Sequence, residues 1–183
     1  MAIIKRSPIG ADQPPASPHL GGVYKEMGDT LISPGRRNPA PLVQNFPKSK
    51  RLLINSDGAA VPNPGPAGIG AVLRNDKGVV VSEISKYIGH STNNKAEFLA
   101  LIAGLEEALK LGADRVDLKM DSELIVRQLE GKYRSKELRQ LFQQTLNLLS
   151  EFKSFTVQHI PREQNKEADA LSKRALAHKK TIR

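Results

Sequence analysis

Four acidic residues stand where acids are costly. Asp57 ends the apolar run Leu52, Leu53, Ile54, where an unpaired carboxylate would carry a large desolvation cost. Asp121 closes a second apolar stretch, 116–120, just ahead of a helical pattern. Glu97 lies beside an apolar stripe, one position before Phe98 and four before Leu101, and Asp169 is flanked by Ala168 and Ala170 shortly before Leu171 and Leu176. Other acids, among them Glu106, Glu107, Glu137 and Glu151, fit ordinary solvated faces. Carboxylates gathered at strand ends of an α/β sheet repel one another unless a cation neutralises them. An all-oxygen donor set favours hard divalent ions, Mg²⁺ above all. Two such ions about 4 Å apart can activate a water and stabilise the leaving oxygen in phosphoryl hydrolysis. Spacing alone does not establish that the four acids meet. Taken singly, each is as well explained as an N-cap or a strand-end turn residue.

The elements that would have to position them follow from periodicity and turn chemistry. From Arg51 the character of the chain changes: Leu52, Leu53 and Ile54 start a buried strand that ends at Asp57-Gly58, and VPNPGPAG, dense in turn formers, leads into a second strand, IGAVLRN. Asp76-Lys77-Gly78 predicts a hairpin turn before a third strand, VVVSEISKYIG. Thr92, Asn93 and Asn94 offer N-cap chemistry for a helix reaching about Leu111, with Phe98, Leu101, Ile102, Leu105, Ala108 and Leu109 as its apolar stripe. A fourth strand over 116–120, a short helix ELIVRQLEG, a helix over 136–152, a fifth strand over 155–160 and a last helix over 165–177 complete the order. Three hairpin-linked strands followed by strand–helix alternation predict an α/β domain with one mixed sheet covered by helices.

Outside that domain the chain reads differently. Residues 1–50 hold eight of the twelve prolines and show no helical or strand period. This predicts a largely disordered Pro-rich extension, with 20–24 and 42–46 as pieces able to dock. Its seven Lys or Arg against three acids leave a basic arm touching nucleic acid as the alternative. The domain is expected over 51–178 and a basic tail over 179–183. The whole chain carries 28 Lys and Arg against 19 Asp and Glu, a net charge of +9. That excess supports a polyanionic partner without establishing one, since basic soluble proteins also carry it. No run of eighteen apolar residues exists to cross a membrane, and the first residues lack the apolar stretch of a secretory signal. With no cysteine there is neither a disulfide framework nor a thiolate metal site, which suits a cytoplasmic location.

Four runs, DGAAVPNPGPAGIGAVL, TNNKAEFLALIAGL, MDSELIVRQLEG and HIPREQNKEADALS, each carry one of the four acids. In this order, from about Leu52 to Leu176, they resemble the signature blocks of type 1 ribonuclease H, most of all its short prokaryotic, reverse-transcriptase-associated branch. The resemblance implies a ribonuclease H-like fold, a five-stranded mixed sheet flanked by helices. It implies endonucleolytic cleavage of the RNA strand in RNA–DNA hybrids, leaving 3′-hydroxyl and 5′-phosphate ends, with double-stranded RNA as a second candidate substrate. Asp57, Glu97, Asp121 and Asp169 fall on the family's metal-binding acids, which with substrate hold two ions, Mg²⁺ or alternatively Mn²⁺. Asp57 would bridge both ions, Glu97 and Asp121 would serve one and orient the water, and Asp169 would hold the other. Asn63, Asn93 and Asn94 match positions that sense 2′-hydroxyls in the minor groove. Thr92 matches a phosphate contact to the DNA strand, Ser122 lies beside the site as a backbone contact, and a monomer is implied.

The chain also departs from the family. Glu123 stands where many members have a groove-reading Gln, and the Trp-rich basic protrusion is absent, only 131–136 joining the two middle helices. Hybrid affinity would then come from Lys132, Arg134, Lys136 and Arg139 or from the arm, though singly each fits a solvated face. His159 lies ten residues before the last acid, the count of the family's general-base His. Yet HIPR looks like the end of the last strand, where relatives place Trp or His, and this second alignment is preferred. It shortens the mobile loop, removes its His and leaves Arg162 or Glu163 nearest the emptied place. A divalent ion can activate water without a protein base. Two other classes stay in view. A non-catalytic nucleic-acid-binding module on this fold would gain nothing from four acids facing phosphates. A 3′–5′ exonuclease of related fold opens with Asp-x-Glu, where this chain has Asp57-Gly58-Ala59.

Overall fold

A computed structural model describes residues 4–6, 49–132 and 135–178. The rest of the extension, including 20–24 and 42–46, the tail 179–183, and Arg134 lie outside the described residues. The elements run β1 (Ile4–Arg6), β2 (Arg51–Ala60), β3 (Gly65–Arg74), β4 (Val80–Ser91), α1 (Asn93–Lys110), β5 (Arg115–Met120), α2 (Glu123–Leu129), α3 (Arg139–Ser150), β6 (Ser154–His159), a single 3₁₀ turn (Arg162–Gln164) and α4 (Lys166–His178). Every expected strand and helix is present, with boundaries moved by a few residues.

Local chemistry sets these boundaries. In the β3–β4 hairpin the Asn75 side-chain oxygen accepts the N–H groups of Lys77 and Val79, each at 3.0 Å, and Gly78 takes φ +77°. Thr92 caps α1, its Oγ1 accepting the Lys95 N–H at 3.3 Å, and Gly112 ends the helix at φ +73°. The expected stripe of α1 is buried except for Leu109, which is half-buried. α3 begins at Arg139, three residues later than the periodicity predicts. The residues before it form a turn in which Ser135 Oγ accepts the Leu138 N–H.

The sheet order is β1-β6-β5-β2-β3-β4. β2 pairs antiparallel with β3 and parallel with β5, β3 antiparallel with β4, and β5 parallel with β6. Those five strands are the mixed sheet expected. The sixth, β1, adds antiparallel to β6 with Ile4 opposite Val157, a three-residue pairing within the segment read as unstructured. A strand this short shows no period of its own; it is defined by its partner's edge.

Helices cover both faces. A Cβ built on Gly104 of α1 would meet Ile54 and Ala71, whereas one on Gly70 would meet Ala168 and Ser172 of α4. Gly70 and Ala71 are adjacent on β3 and point to opposite faces. The α1 face carries the larger core, with Leu52, Ile54, Leu73, Phe98, Leu101, Leu105 and Leu118 all at 1% exposure or less. No helix among the described residues is long and apolar enough to cross a membrane.

Candidate active site

Close contacts at three glycines bring the acid-bearing elements together. Asp57, 6% exposed, lies on β2 opposite Gly70 of β3. A Cβ on the next residue, Gly58, would fall 2.1 Å from Ala96 C and 2.2 Å from Glu97 N. Only glycine therefore lets α1 cross β2 at the turn that carries Glu97. On the other face, a Cβ on Gly70 would fall 2.2 Å from Ala168 O, and one on Gly68 2.4 Å from Ser172 O. α4 can lie this close to β3 because β3 presents no side chain there. Asp121 follows β5, the parallel neighbour of β2. Four acids from four elements thus come within electrostatic reach of one another: Glu97 feels the charges of Asp57 and Asp121, and Asp57 those of Asp121 and Asp169.

Their environments differ sharply. The Glu97 residue is half-buried, yet its Oε2 is fully buried and has no hydrogen-bond partner. Burial first, and then the charges of Asp57 and Asp121, push its carboxyl up to about 9, against one opposing bond from the Gly58 N–H. Burial also raises Asp57, opposed by a hydrogen bond from Ser172 Oγ at 2.5 Å and reinforced by Asp121 and Asp169. For Asp169 burial works upward but is outweighed by Lys173 Nζ at 2.6 Å on Oδ2 and Arg162 Nη2 at 2.9 Å on Oδ1, leaving the carboxyl below its ordinary value. Asp121 Oδ1 accepts from Asn165 Nδ2 at 2.6 Å, and the same amide nitrogen donates to Ser56 O at 2.9 Å.

Among the described residues, no three acidic, histidine or cysteine side chains form a ready-made metal cage. Asp169, with both oxygens taken by cations, accounts for part of this. The donor set still fits a divalent cation. It is all carboxylate oxygen, it repels itself, and it keeps one buried oxygen unpartnered, which is the arrangement a hard ion relieves.

The other residues singled out by sequence make local contacts of their own. Asn63 Oδ1 accepts the Asn93 N–H at 3.0 Å, and Asn93 Oδ1 accepts the Ala60 N–H at 2.6 Å. These bonds tie the β2–β3 loop to the start of α1. Thr92 is occupied as the α1 cap, Asn94 is exposed on the first turn, and Ser122 is the N-cap residue of α2 without a side-chain cap bond. His159 Nε2 lies 3.2 Å from Asp121 O; a carbonyl only accepts, so Nε2 carries the proton in that contact. Lys95 pairs with Glu137 at 3.1 Å, and Lys132 with Glu130 at 2.8 Å. Sequence reasoning misses Asn165, Ser172 and Lys173. At −4, +3 and +4 from Asp169 they share its helix face, and that spacing is the available signal.

The matching family model is described as reverse transcriptase-like and covers residues 55–175. The bifunctional protein Rv2228c of Mycobacterium tuberculosis is 41% identical over 129 residues, 69% of this chain but only 35% of that protein. Ribonuclease HI of Halobacterium salinarum is 43% identical over 128 residues, 69% of this chain and 64% of the relative. The chain thus matches about a third of the mycobacterial protein's length. Among solved structures, RNase H1 of Halobacterium salinarum superposes with a TM-score of 0.69 at 41% identity, over 70% of this chain and 98% of that one. LC11-RNase H1 in complex with RNA/DNA hybrid gives 0.65 at 41% identity, over 69% and 97%. The ordered acid-bearing blocks, the mixed sheet and these matches agree that the chain belongs to the ribonuclease H family.

Proposed function

We propose that the domain is an endoribonuclease that cuts the RNA strand of RNA–DNA hybrids, leaving 3′-hydroxyl and 5′-phosphate ends. Family membership implies a divalent metal; the finer proposal is two ions, Mg²⁺ or alternatively Mn²⁺, held by Asp57, Glu97, Asp121 and Asp169. One observation supports it: acids from four elements lie within electrostatic reach of Asp57 or of one another, and a buried Glu97 oxygen among them lacks a partner. Bound there, divalent ions would supply activation of a water and neutralise charge on the departing 3′-oxygen.

The chain's own residues do the rest. Asp169, kept ionised by Lys173 and Arg162, is a ligand that need not lose a proton first. Glu97, pushed up to about 9, holds its proton at neutral pH, so cation binding at that oxygen is coupled to proton release. Arg162 stands on Asp169 and places a fixed positive charge beside Asp57 and Asp121, where it counters their repulsion. Asn63 and Asn93 spend their side-chain oxygens on the loop, so a 2′-hydroxyl would be met by their amide nitrogens as acceptor. Asn94 adds an exposed amide, Thr92 a hydroxyl for a DNA-strand phosphate, and Ser122 a hydroxyl at the backbone. Double-stranded RNA shares the A-form minor groove and is the second substrate; the enzyme acts in the cytoplasm as a monomer.

Labelled hybrid, duplex RNA and duplex DNA, each incubated with Mg²⁺, Mn²⁺ or EDTA, test this reading. Cleavage of the hybrid's RNA strand with either metal, and none of duplex DNA, is expected. Binding without cleavage of any substrate would instead favour a nucleic-acid-binding module. His159 is expected to be a strand-end hydrogen-bonding residue, so His159→Ala should keep kcat within about tenfold of the parent. A fall of about 100-fold or more, the usual size of a general-base effect, would reassign it as the base.

A further inference from the structure

Ser172 is fully buried in α4 with its hydroxyl between two acceptors, Asp57 Oδ2 at 2.5 Å and Asp169 O at 2.9 Å. A serine inside a helix ordinarily returns its proton to a carbonyl on the preceding turn, and Asp169 O offers that bond here. One hydroxyl has one proton to give. The carboxylate is the shorter and charge-assisted acceptor, in the range expected for O–H to O⁻ bonds. The proton therefore points mainly across the helix–sheet gap to Asp57, with the Asp169 carbonyl as the second, weaker acceptor of a three-centre bond. A single side chain links two of the four acids.

That reach depends on β3. Asp57 faces Gly70 across the strand pair, and α4 rests on Gly68 and Gly70 with its backbone where their side chains would be. No other described residue hydrogen-bonds an Asp57 oxygen through its side chain. Without Ser172 the carboxylate would be buried with one oxygen unpartnered and its rotation unfixed.

We propose that Ser172 is the positioning residue for Asp57, its hydroxyl holding the carboxylate in the orientation from which it binds a divalent cation. The inference rests on the metal-centred site proposed above and assigns that site an outer partner in α4. Partners of this kind orient metal-ligating groups, and removing one commonly costs about 10–100-fold in metal affinity or activity.

The test is Ser172→Ala in the full chain. Alanine is smaller and the best helix former, so the variant keeps its fold, checked by thermal melting. Ser172→Cys, similar in size but a weak donor, carries the same test should the alanine variant lose its fold. Mg²⁺ alone is titrated into each protein by calorimetry, and the Mg²⁺ dependence of hybrid cleavage is measured beside KM for the hybrid. Expected are Mg²⁺ affinity weaker by about tenfold or more, a matching rise in the Mg²⁺ concentration for half-maximal rate, and KM for the hybrid within about twofold. Unchanged Mg²⁺ affinity and Mg²⁺ dependence in a folded Ser172→Ala would overturn the inference, as would a loss confined to KM. Failure of the parent protein itself to cut hybrid would strike the proposed function; the calorimetric comparison would still decide the role of Ser172.

Discussion

Glu97→Gln should make the metal-free protein more stable and nearly inactive at once. Glu97 carries a buried, unpartnered Oε2 and faces two other acids. Its folded-state carboxyl is raised from 4.5 to about 9, so the folded chain binds that proton more tightly than the unfolded chain. The stabilising share of Glu97 is therefore complete below about pH 4.5 and is lost as pH rises through 9. Glutamine removes the titration, presents an N–H₂ to neighbouring carboxylates and keeps an oxygen for the Gly58 N–H. An unsatisfied buried polar group costs about 1–3 kcal/mol, more when charged. Melts in EDTA should place Glu97→Gln about 3–10 °C above the parent near pH 8, with the gap widening from pH 5 to 9. With Glu97 as a ligand in the proposed site, Mg²⁺-dependent hybrid cleavage should fall at least about 1,000-fold, because several kcal/mol of charge stabilisation would depend on it and each 1.4 kcal/mol is tenfold. Equal melting at every pH would show that the Glu97 oxygen is not a buried liability.

Gly70→Ala should cost both fold stability and activity. A methyl at this position would sit 2.2 Å from Ala168 O, 2.5 Å from Ser172 N and 2.8 Å from Leu171 Cβ. Two of these are backbone atoms, so relief requires α4 to move as a body. Overpacking of this kind costs about 1–3 kcal/mol. α4 carries Asp169 and Ser172, so the same movement separates them from Asp57, and a displacement of about 1 Å can cost about 100-fold in rate. Gly78→Ala is the control. Its site is open space in the β3–β4 turn at φ +77°, so it should lose about 1–2 kcal/mol from backbone strain and keep its kcat. Equal kinetic losses in the two variants would refute the coupling of β3 to the site.

Most elements are legible in the sequence because their signals are local. The α1 stripe has a helical period, Thr92 can cap only the helix on its C-terminal side, and Asp76-Lys77-Gly78 is turn chemistry within three residues, to which the structure adds the Asn75 side chain. Three parts are not legible. β1 borrows its conformation from the edge of β6, so Ile4, Lys5 and Arg6 show nothing by themselves. The convergence of Asp57, Glu97, Asp121 and Asp169 depends on β5 inserting beside β2 and on α4 crossing β3. Sequence position does not encode either without a family pattern. The bonds of Ser172 to Asp57 and Asn165 to Asp121 join residues 115 and 44 positions apart in the chain. They exist only because β3 offers glycine where α4 lands. Resemblance alone places Asp169 with the metal-binding acids. The structure adds that Lys173 and Arg162 hold both its oxygens; the i,i+4 spacing signals Lys173, whereas Arg162 reaches Asp169 from the preceding 3₁₀ turn.

The proposed function makes these carboxylates a cation-dependent site that hydrolyses the RNA strand of a hybrid. It is tested most directly by incubating end-labelled RNA–DNA hybrid with the parent chain and with Asp57→Asn, in Mg²⁺ and in EDTA, and by identifying the product ends. Internal cuts in the RNA strand by the parent in Mg²⁺, with 5′-phosphate and 3′-hydroxyl ends, are expected, and none in EDTA or with Asp57→Asn. Cutting that persists at the parent's rate in Asp57→Asn, or in EDTA, would contradict it.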